Sequence, residues 1–259
     1  MKTVHTRPVV GREQDWDWFF DELYLETYVS RLQAFDSEAE AQAAIELAGC
    51  RPGADVLDCP CGYGRHSIPL GQAGYRVVGA ERSPTMLAEA RRQAGDREWP
   101  RFVEADYREL PFEPASFDAV LNLFSSIGYH GEDGDSAALG EFRRVLRPGG
   151  ALVLESMHRD RLMSVFRGHD WEELPEGGIV FERRSFDPVR GESATTHTLI
   201  RPDGERLSFH YRIRVYTATE LGAMLEEAGF AAVEFLGGLL EREPLSHERR
   251  LVAVARTPA

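Results

Sequence analysis

Between residues 55 and 155, short apolar runs alternate with stretches of helical character, and this alternation limits the fold of the 259-residue chain more than any other feature. Asp55-Val56-Leu57-Asp58 reads as a short buried strand, followed by a glycine-rich turn and a helix over about 65–73. Residues 76–80 form the next strand. Ser83 at N-cap and Pro84 at N1 then open a helix that runs to about Gln93. Residues 102–105 and 117–121 read as further strands, and a helix around 137–146 ends at Arg147-Pro148-Gly149-Gly150, ahead of a fifth strand over 151–155. Such βαβ units predict an α/β fold of the Rossmann-like kind, with a parallel sheet covered by helices on both faces. Ligands of these sheets bind at the carboxyl ends of the strands, near the point where strand order reverses.

The flanks follow other patterns. Residues 15–32 are amphipathic, with Trp16, Phe19, Phe20, Leu23, Leu25, Tyr28 and Leu32 among acids, and a second helix runs from an Asp36-Ser37 cap to Gly49. Residues 179–186, 194–200 and 207–215 are strand-like, with a Pro202-Asp203-Gly204 turn between the last two. Thr217-Ala218-Thr219-Glu220 is a capping box for an amphipathic helix closing at Gly229, and strands over 232–236 and 250–255 end the chain. The expected organisation is a helical segment over 1–50, a Rossmann-like core over 51–156 and 217–259, and an antiparallel β insertion over 157–216.

The formal net charge of −13 argues against nucleic acid or anionic lipid as a partner. The arginine doublets Arg143-Arg144, Arg183-Arg184 and Arg249-Arg250 are candidates for a local basic groove, and read first as solvated faces. No run of 18 apolar residues suggests a membrane span, and residues 1–12 lack the apolar core of a secretory signal. Three cysteines, two of them as close as Cys59 and Cys61, suit neither a disulfide framework nor a metal site. A reduced, cytoplasmic protein with no metal is expected.

The richest stretch is Val56-Leu57-Asp58-Cys59-Pro60-Cys61-Gly62-Tyr63-Gly64-Arg65-His66. Glycines at a strand-to-helix turn let a ligand lie against bare backbone. Glu81, at the end of the next strand, is placed to hold both hydroxyls of a ribose. A dinucleotide loop wants a third glycine, and Ser67 stands there instead, so the loop suits a ligand without pyrophosphate. With Val103-Glu104-Ala105-Asp106-Tyr107, Phe117-Asp118-Ala119-Val120 and the Arg147-Pro148-Gly149-Gly150 turn in order, the chain resembles class I S-adenosylmethionine-dependent methyltransferases over about 15–257. Asn122-Leu123-Phe124-Ser125-Ser126-Ile127-Gly128-Tyr129 and Arg214-Val215-Tyr216-Thr217 resemble a bacterial branch that includes amino-sugar N-methyltransferases. Pro60 departs from the wider family, where many members carry glycine.

The resemblance implies S-adenosylmethionine as cofactor and methyl transfer to a small soluble acceptor, at N or O. It implies that Asp58, Cys59, Pro60, Cys61, Gly62, Gly64, Arg65 and His66 border the methionine part, while Glu81 holds the ribose. Arg82, Met86, Ala105, Asp106 and Tyr107 would surround the adenine. Asn122, Leu123 and Phe124 would floor the pocket near the sulfonium, and Tyr24 and Tyr28 would lie on a helix closing over the site as a lid. In-line displacement needs alignment and a free lone pair on the acceptor, so a proton acceptor is sought. His130, beside Tyr129, is the first candidate, and His158 the second. The insertion, with His210, Tyr211, Arg212 and Arg214, would wall the acceptor side or form a homodimer surface at its free edge. A nicotinamide-dependent oxidoreductase and a non-catalytic S-adenosylmethionine-binding module stay open as alternatives.

Overall fold

The computed structural model describes residues 10–13, 16, 19–32, 35–175, 177–247 and 249–259. Residues 1–9, on which the absence of a signal was read, and parts of the predicted 15–32 helix lie outside them. The chain divides into two compact units. One joins the described residues up to Phe35 to Phe166–Ile213, and the other is Asp36–Val165 with Arg214–Ala259. The N-terminal stretch up to Phe35 therefore groups with the insertion, while the helix after Asp36 groups with the core.

The larger unit starts with α2 (Ser37–Ala48), capped by the Asp36 side chain and ended by Gly49 in the left-handed conformation. Then come β2 (Asp55–Asp58), α3 (Ser67–Gln72), β3 (Arg76–Glu81), α4 (Pro84–Ala94), β4 (Arg101–Glu104), β5 (Phe117–Asn122), α5 (Gly131–Val145) and β6 (Leu146–Ser156). A short α6 (Arg159–Ser164) follows, and after the other unit α7 (Ala218–Glu227), β11 (Ala232–Leu236) and β12 (Leu251–Arg256) complete the unit. The sheet order is β11-β12-β6-β5-β2-β3-β4. β2 pairs in parallel with both β3 and β5, while β12 runs antiparallel to β6 and β11. The chain leaves β2 toward one edge and re-enters on its other side at β5, so the switch point lies between the ends of β2 and β5.

Burial explains the register. Val56, Leu57, Ala119, Val120, Leu121 and residues 151–154 are solvent-free, as expected of strands covered on both faces. One core includes α5 through Ala138, Leu139, Phe142 and Val145, and the other includes α2 through Ala41, Ala44, Ile45 and Ala48. The helix expected around 137–146 begins earlier, at Gly131. Its first turns, Gly-Glu-Asp-Gly-Asp, are poor in helix formers, so propensity hides them while the tertiary contacts of Asp135 fix them.

The smaller unit begins with β1 (Val10–Glu13), then a π-helical turn over Phe19–Leu23 that runs into α1 (Tyr24–Leu32). β7 (His169–Glu173), β8 (Ile179–Asp187), β9 (Glu192–Ile200) and β10 (Arg206–Arg214) complete a sheet ordered β1-β10-β9-β8-β7. β7–β8 and β8–β9 pair antiparallel, whereas β1 lies parallel to β10. Its core is aromatic: Phe19 stacks on Phe209 at 4.6 Å, with Trp16, Phe20 and Tyr211 around them. The insertion is thus a sheet completed by the N-terminal strand. β1, β7 and α6 were not legible, being short and polar on one side.

A close approach at Gly79 in β3 tests this packing. A Cβ there would lie 2.7 Å from the Phe102 ring and 2.8 Å from Cys61 Sγ, in a place where neither can retreat freely. Gly79→Ala should cost about 1–3 kcal/mol of overpacking in urea unfolding. An unchanged midpoint would mean that the glycine turn and β4 give way easily.

Candidate active site

The turn after β2 is held by the carboxylate that ends β3. Glu81 Oε2 accepts from the Gly62 N–H at 3.0 Å, and Oε1 accepts from the Arg82 and Ser83 N–H groups at 2.8 and 2.9 Å. Burial raises its pKa, partly countered by those three donors. Gly62 has φ +55°, and a Cβ added there would meet nothing within 4 Å, so this side of the turn is open to a ligand. Asp58 is buried and accepts from Ser67 Oγ at 2.5 Å, with its pKa raised by desolvation. Cys59 and Cys61 are buried, and desolvation with nearby carboxylates pushes both thiols well up, which keeps them protonated. Pro60 and Gly64 complete the turn, Gly64 with φ +84° and facing Phe102.

Arg65 and His66, expected beside the cofactor, reach back to α2. Arg65 NH1 lies 2.6 Å and His66 Nε2 3.2 Å from Glu40 Oε2. Burial opposes ionisation of Glu40, but the His66 and Arg65 contacts outweigh it and lower its pKa. These residues brace the turn from behind, a role that the sequence did not reveal.

At the end of β5, Asn122 Nδ2 donates to the Cys59 carbonyl at 2.8 Å, tying the two switch-point strands together. Leu123 is buried, and the next two residues, Phe124 and Ser125, both have positive φ, +61° and +59°. Non-glycine residues there are strained by about 1–2 kcal/mol each, so surrounding contacts must impose the conformation. Glu155 Oε2 accepts from the Phe124 N–H at 3.0 Å, and the Glu155 carbonyl accepts from the Ser125 N–H at 2.9 Å. Arg250 reaches Glu155 Oε1 at 2.5 Å and Ser125 Oγ at 2.8 Å, and Arg65 stacks over the Phe124 ring at 4.9 Å. Glu155 went unnoticed in the sequence and Arg250 was read only within a solvated doublet, because the two lie 95 positions apart.

The segment after β4 makes the third wall. The Ala105 N–H donates to the Glu81 carbonyl at 3.0 Å. Both oxygens of Asp106 take the Arg108 guanidinium, at 2.9 and 2.6 Å, which lowers its pKa to about 2. A ligand amino group would share that carboxylate with Arg108. Arg82 NH1 is 3.9 Å from Asp106 Oδ2, and Met86 is buried on α4 as a core residue. His130 packs edge-on against Tyr107 at 5.5 Å, and burial with nearby Arg108 lowers its pKa. The first-ranked proton acceptor thus sits among the residues expected around the adenine.

Among the described residues of this unit, four buried polar atoms have no hydrogen-bond partner: Arg65 NH2, Tyr107 OH, Asn122 Oδ1 and His158 Nδ1. Each residue follows or ends one of the parallel strands β2, β4, β5 and β6 at its carboxyl end. Buried polar groups are rarely left unpaired, and four at one end of a sheet fit a polar ligand. Tyr24 and Tyr28 belong to the smaller unit, where they stack on each other at 4.8 Å. Among the described residues, no cluster of three or more His, Cys, Asp or Glu is arranged to hold a metal, and no helix is long and apolar enough to cross a membrane.

The loop from β5 to α5 is fixed by Asp135, which is solvent-free. Its Oδ1 accepts from the Gly128 N–H at 3.0 Å and its Oδ2 from the Tyr216 hydroxyl at 2.7 Å. Burial raises the Asp135 pKa from 3.8 to about 6 despite these donors. The folded state therefore takes up this proton before the unfolded chain does. The cost of ionising Asp135 is absent below pH 4 and complete above about pH 6. Asp135→Asn should gain stability relative to wild type by about 2 kcal/mol between pH 4.5 and pH 7.5. Urea unfolding at both values measures this, and a difference independent of pH would refute the assignment.

A model described as a methyltransferase domain matches residues 56–150. The chain is 31% identical to a demethylmenaquinone methyltransferase of Clavibacter sepedonicus, over 76% of this chain and 71% of that one. It is 34% identical to a glycine/sarcosine N-methyltransferase of Parasynechococcus marenigrum, over 65% and 66%. The first curated relatives are matched over 45% to 66% of their own lengths. Among solved structures, the S-adenosylmethionine-bound amino pentose methyltransferase of Micromonospora echinaspora superposes with a TM-score of 0.68 at 24% identity, over 91% of this chain and 97% of that one. Together with the strand order, the glycine turn and its acid, these likenesses show that the chain belongs to the class I S-adenosylmethionine-dependent methyltransferases.

Proposed function

We propose that the protein transfers a methyl group from S-adenosylmethionine to a nitrogen or oxygen of a small acceptor. The observation that carries this is the set of four unpartnered buried polar atoms at the carboxyl ends of the parallel strands, beside an open glycine turn whose acid is already oriented. When bound there, the cofactor supplies a methyl carbon activated by a positive sulfur. The chain supplies position. Glu81 keeps lone pairs toward a ribose while three N–H groups hold it, and Tyr107 OH and Asn122 Oδ1 offer a donor and an acceptor that no protein group uses. The Phe124–Ser125 turn, clamped by Glu155 and Arg250, fixes the floor against which the acceptor is aligned.

An ammonium or hydroxyl acceptor must lose its proton to expose a lone pair. His158 follows β6, is buried, and has an Nδ1 without a partner, whereas His130 is packed against Tyr107. We assign the proton to His158 ahead of His130. Tyr129 stays a candidate contact for the acceptor, and Tyr24 and Tyr28 stay candidates for a lid. The named substrates of the relatives, menaquinone precursors, glycine and amino sugars, differ among themselves, so the acceptor class rests on the small-molecule character they share.

Two measurements test this reading. Calorimetry should detect S-adenosylmethionine and S-adenosylhomocysteine, and Glu81→Ala should weaken both about tenfold to a hundredfold, as for lost hydrogen bonds to a charged group. Tight NAD binding in place of either would overturn the proposal. With an acceptor found by mass analysis of a metabolite panel, His158→Asn should lower kcat about a hundredfold at unchanged cofactor affinity, while His130→Asn should act mainly on cofactor affinity. The opposite pattern would return the proton to His130, and wild-type rates in both would leave alignment alone as the source of acceleration.

A further inference from the structure

The outer face of the smaller unit's sheet carries a feature that methyl transfer does not use. In the β7-β8-β9 ladder, His169 lies opposite Arg183, Arg183 opposite Thr196, and Trp171 opposite Phe181. Side chains alternate along strands, so these residues share one face. Thr196 Oγ1 is 3.0 Å from His210 Nδ1, which carries the row onto β10, and Arg212 stands two residues further on the same face. A groove of about 590 Å³ lies over this row, lined by His169, Arg183, Thr196, His210 and Arg212 with their neighbours.

Among the described residues that line the groove there is no aspartate or glutamate, and Glu13 of β1 is the ladder partner of His210. Arg184, also in its lining, is neutralised by Glu182 and Asp170. Among the described residues, neither Arg183 nor Arg212 pairs with a carboxylate. In a chain of net charge −13, a concave surface with two imidazoles and two guanidiniums that pair with no described carboxylate is a local reversal of the field. Beside it on the same face, Trp171 is 62% and Phe181 40% exposed, and the Phe181 ring lies 6.2 Å from His169. A merely solvated arginine face would need neither the concavity nor the exposed aromatic rings.

We propose that this groove binds a small organic phosphate. Guanidinium groups match phosphate oxygens in geometry and charge, so Arg183 and Arg212 take the phosphate. The Thr196 contact fixes the His210 ring as a further polar partner, and the exposed Trp171 and Phe181 take an apolar ring of the same ligand. The site is built from one unit's residues alone, so its test does not depend on methyl transfer.

The probe is phenyl phosphate, with inorganic phosphate as the second arm, titrated into the full chain. The imidazole signals of His169 and His210 and the indole N–H of Trp171 should shift saturably in NMR. The double variant R183Q/R212Q, both positions exposed, should weaken both probes at least tenfold by calorimetry while melting like wild type. Trp171→Ala should weaken phenyl phosphate severalfold and leave inorganic phosphate unchanged, which separates an organic ligand from free phosphate. Histidine signals that do not saturate, affinity untouched by the double variant, or a response confined to residues around Glu81 would each overturn the proposal. Equal affinity for the two probes would overturn its aromatic half.

Discussion

The larger unit's ligand end depends on one carboxylate. Glu81 leaves β3 and accepts three backbone N–H groups, one of them from the glycine turn that leaves β2. This joins the central strand to its neighbour beyond the last ladder bond and fixes the turn before any ligand arrives. Hydrogen bonds to a charged acceptor are worth roughly 1.5–3 kcal/mol each at most, and burial of the acid takes back part of that gain. The balance favours a preorganised turn over a strongly stabilised one. An acid that is already oriented spends little on ordering when it binds, which is what a cofactor site requires. Holding the Arg82 and Ser83 N–H groups at the helix start is compatible with the expected ribose contact, because each carboxylate oxygen has more than one lone pair.

On the other side of β2 the balance is reversed. Phe124 and Ser125 sit in the left-handed region, where side chains are disfavoured, and no local propensity selects it. Glu155 on β6 and Arg250, just before the antiparallel β12, hold the two residues through both backbone and side chain. The arginine that secures the strained turn thus stands immediately before the last strand, which fixes its position against β6. Asp135 does a similar job one loop further on, at the cost of a carboxyl whose pKa is raised to about 6. The left-handed pair lies just after β5 beside the switch point, while the buried carboxyls Asp58, Glu81 and Asp135 are spread over β2, β3 and the first turns of α5.

That division explains what could be read from the sequence. Apolar strands, the Ser83-Pro84 start, the Gly49 stop and the Thr217–Glu220 capping box are encoded within a few residues, and each is found where expected. The glycine turn and Glu81 were equally legible, since their relation is a fixed distance along one βαβ unit. The early turns of α5 were hidden because their helical state depends on Asp135 meeting Tyr216, 81 positions away. Glu40 and Glu155 were missed for the same reason: a lone acid on a helix or at a strand end looks like solvated surface until its partner is known. The grouping of the N-terminal stretch with the insertion rests on β1 pairing with β10, a contact between residues far apart in sequence.

The arginine doublets make the same point about charge. All three read as solvated faces, yet within each pair the second member does structural work. Arg144 donates to the Leu110 and Phe112 carbonyls and pairs with Glu141, and so fastens the segment after the third wall of the site to α5. Arg250 clamps the Phe124–Ser125 turn, and Arg184 joins Glu182 and Asp170. The first members lie closer to the solvated reading: Arg143 reaches the Gly229 carbonyl, Arg249 pairs with Glu243, and Arg183 is exposed without an acid. The Arg183-Arg184 doublet on β8 follows from alternation, since successive side chains point to opposite faces and only one of the two can turn toward the protein's interior partners. On α5 the helical period does the same, aiming Arg144 and not Arg143 at the 110–112 segment. A net charge of −13 therefore says little about where cations act. The positions of the few that are structurally held, or left without an acid in a groove, carry that information.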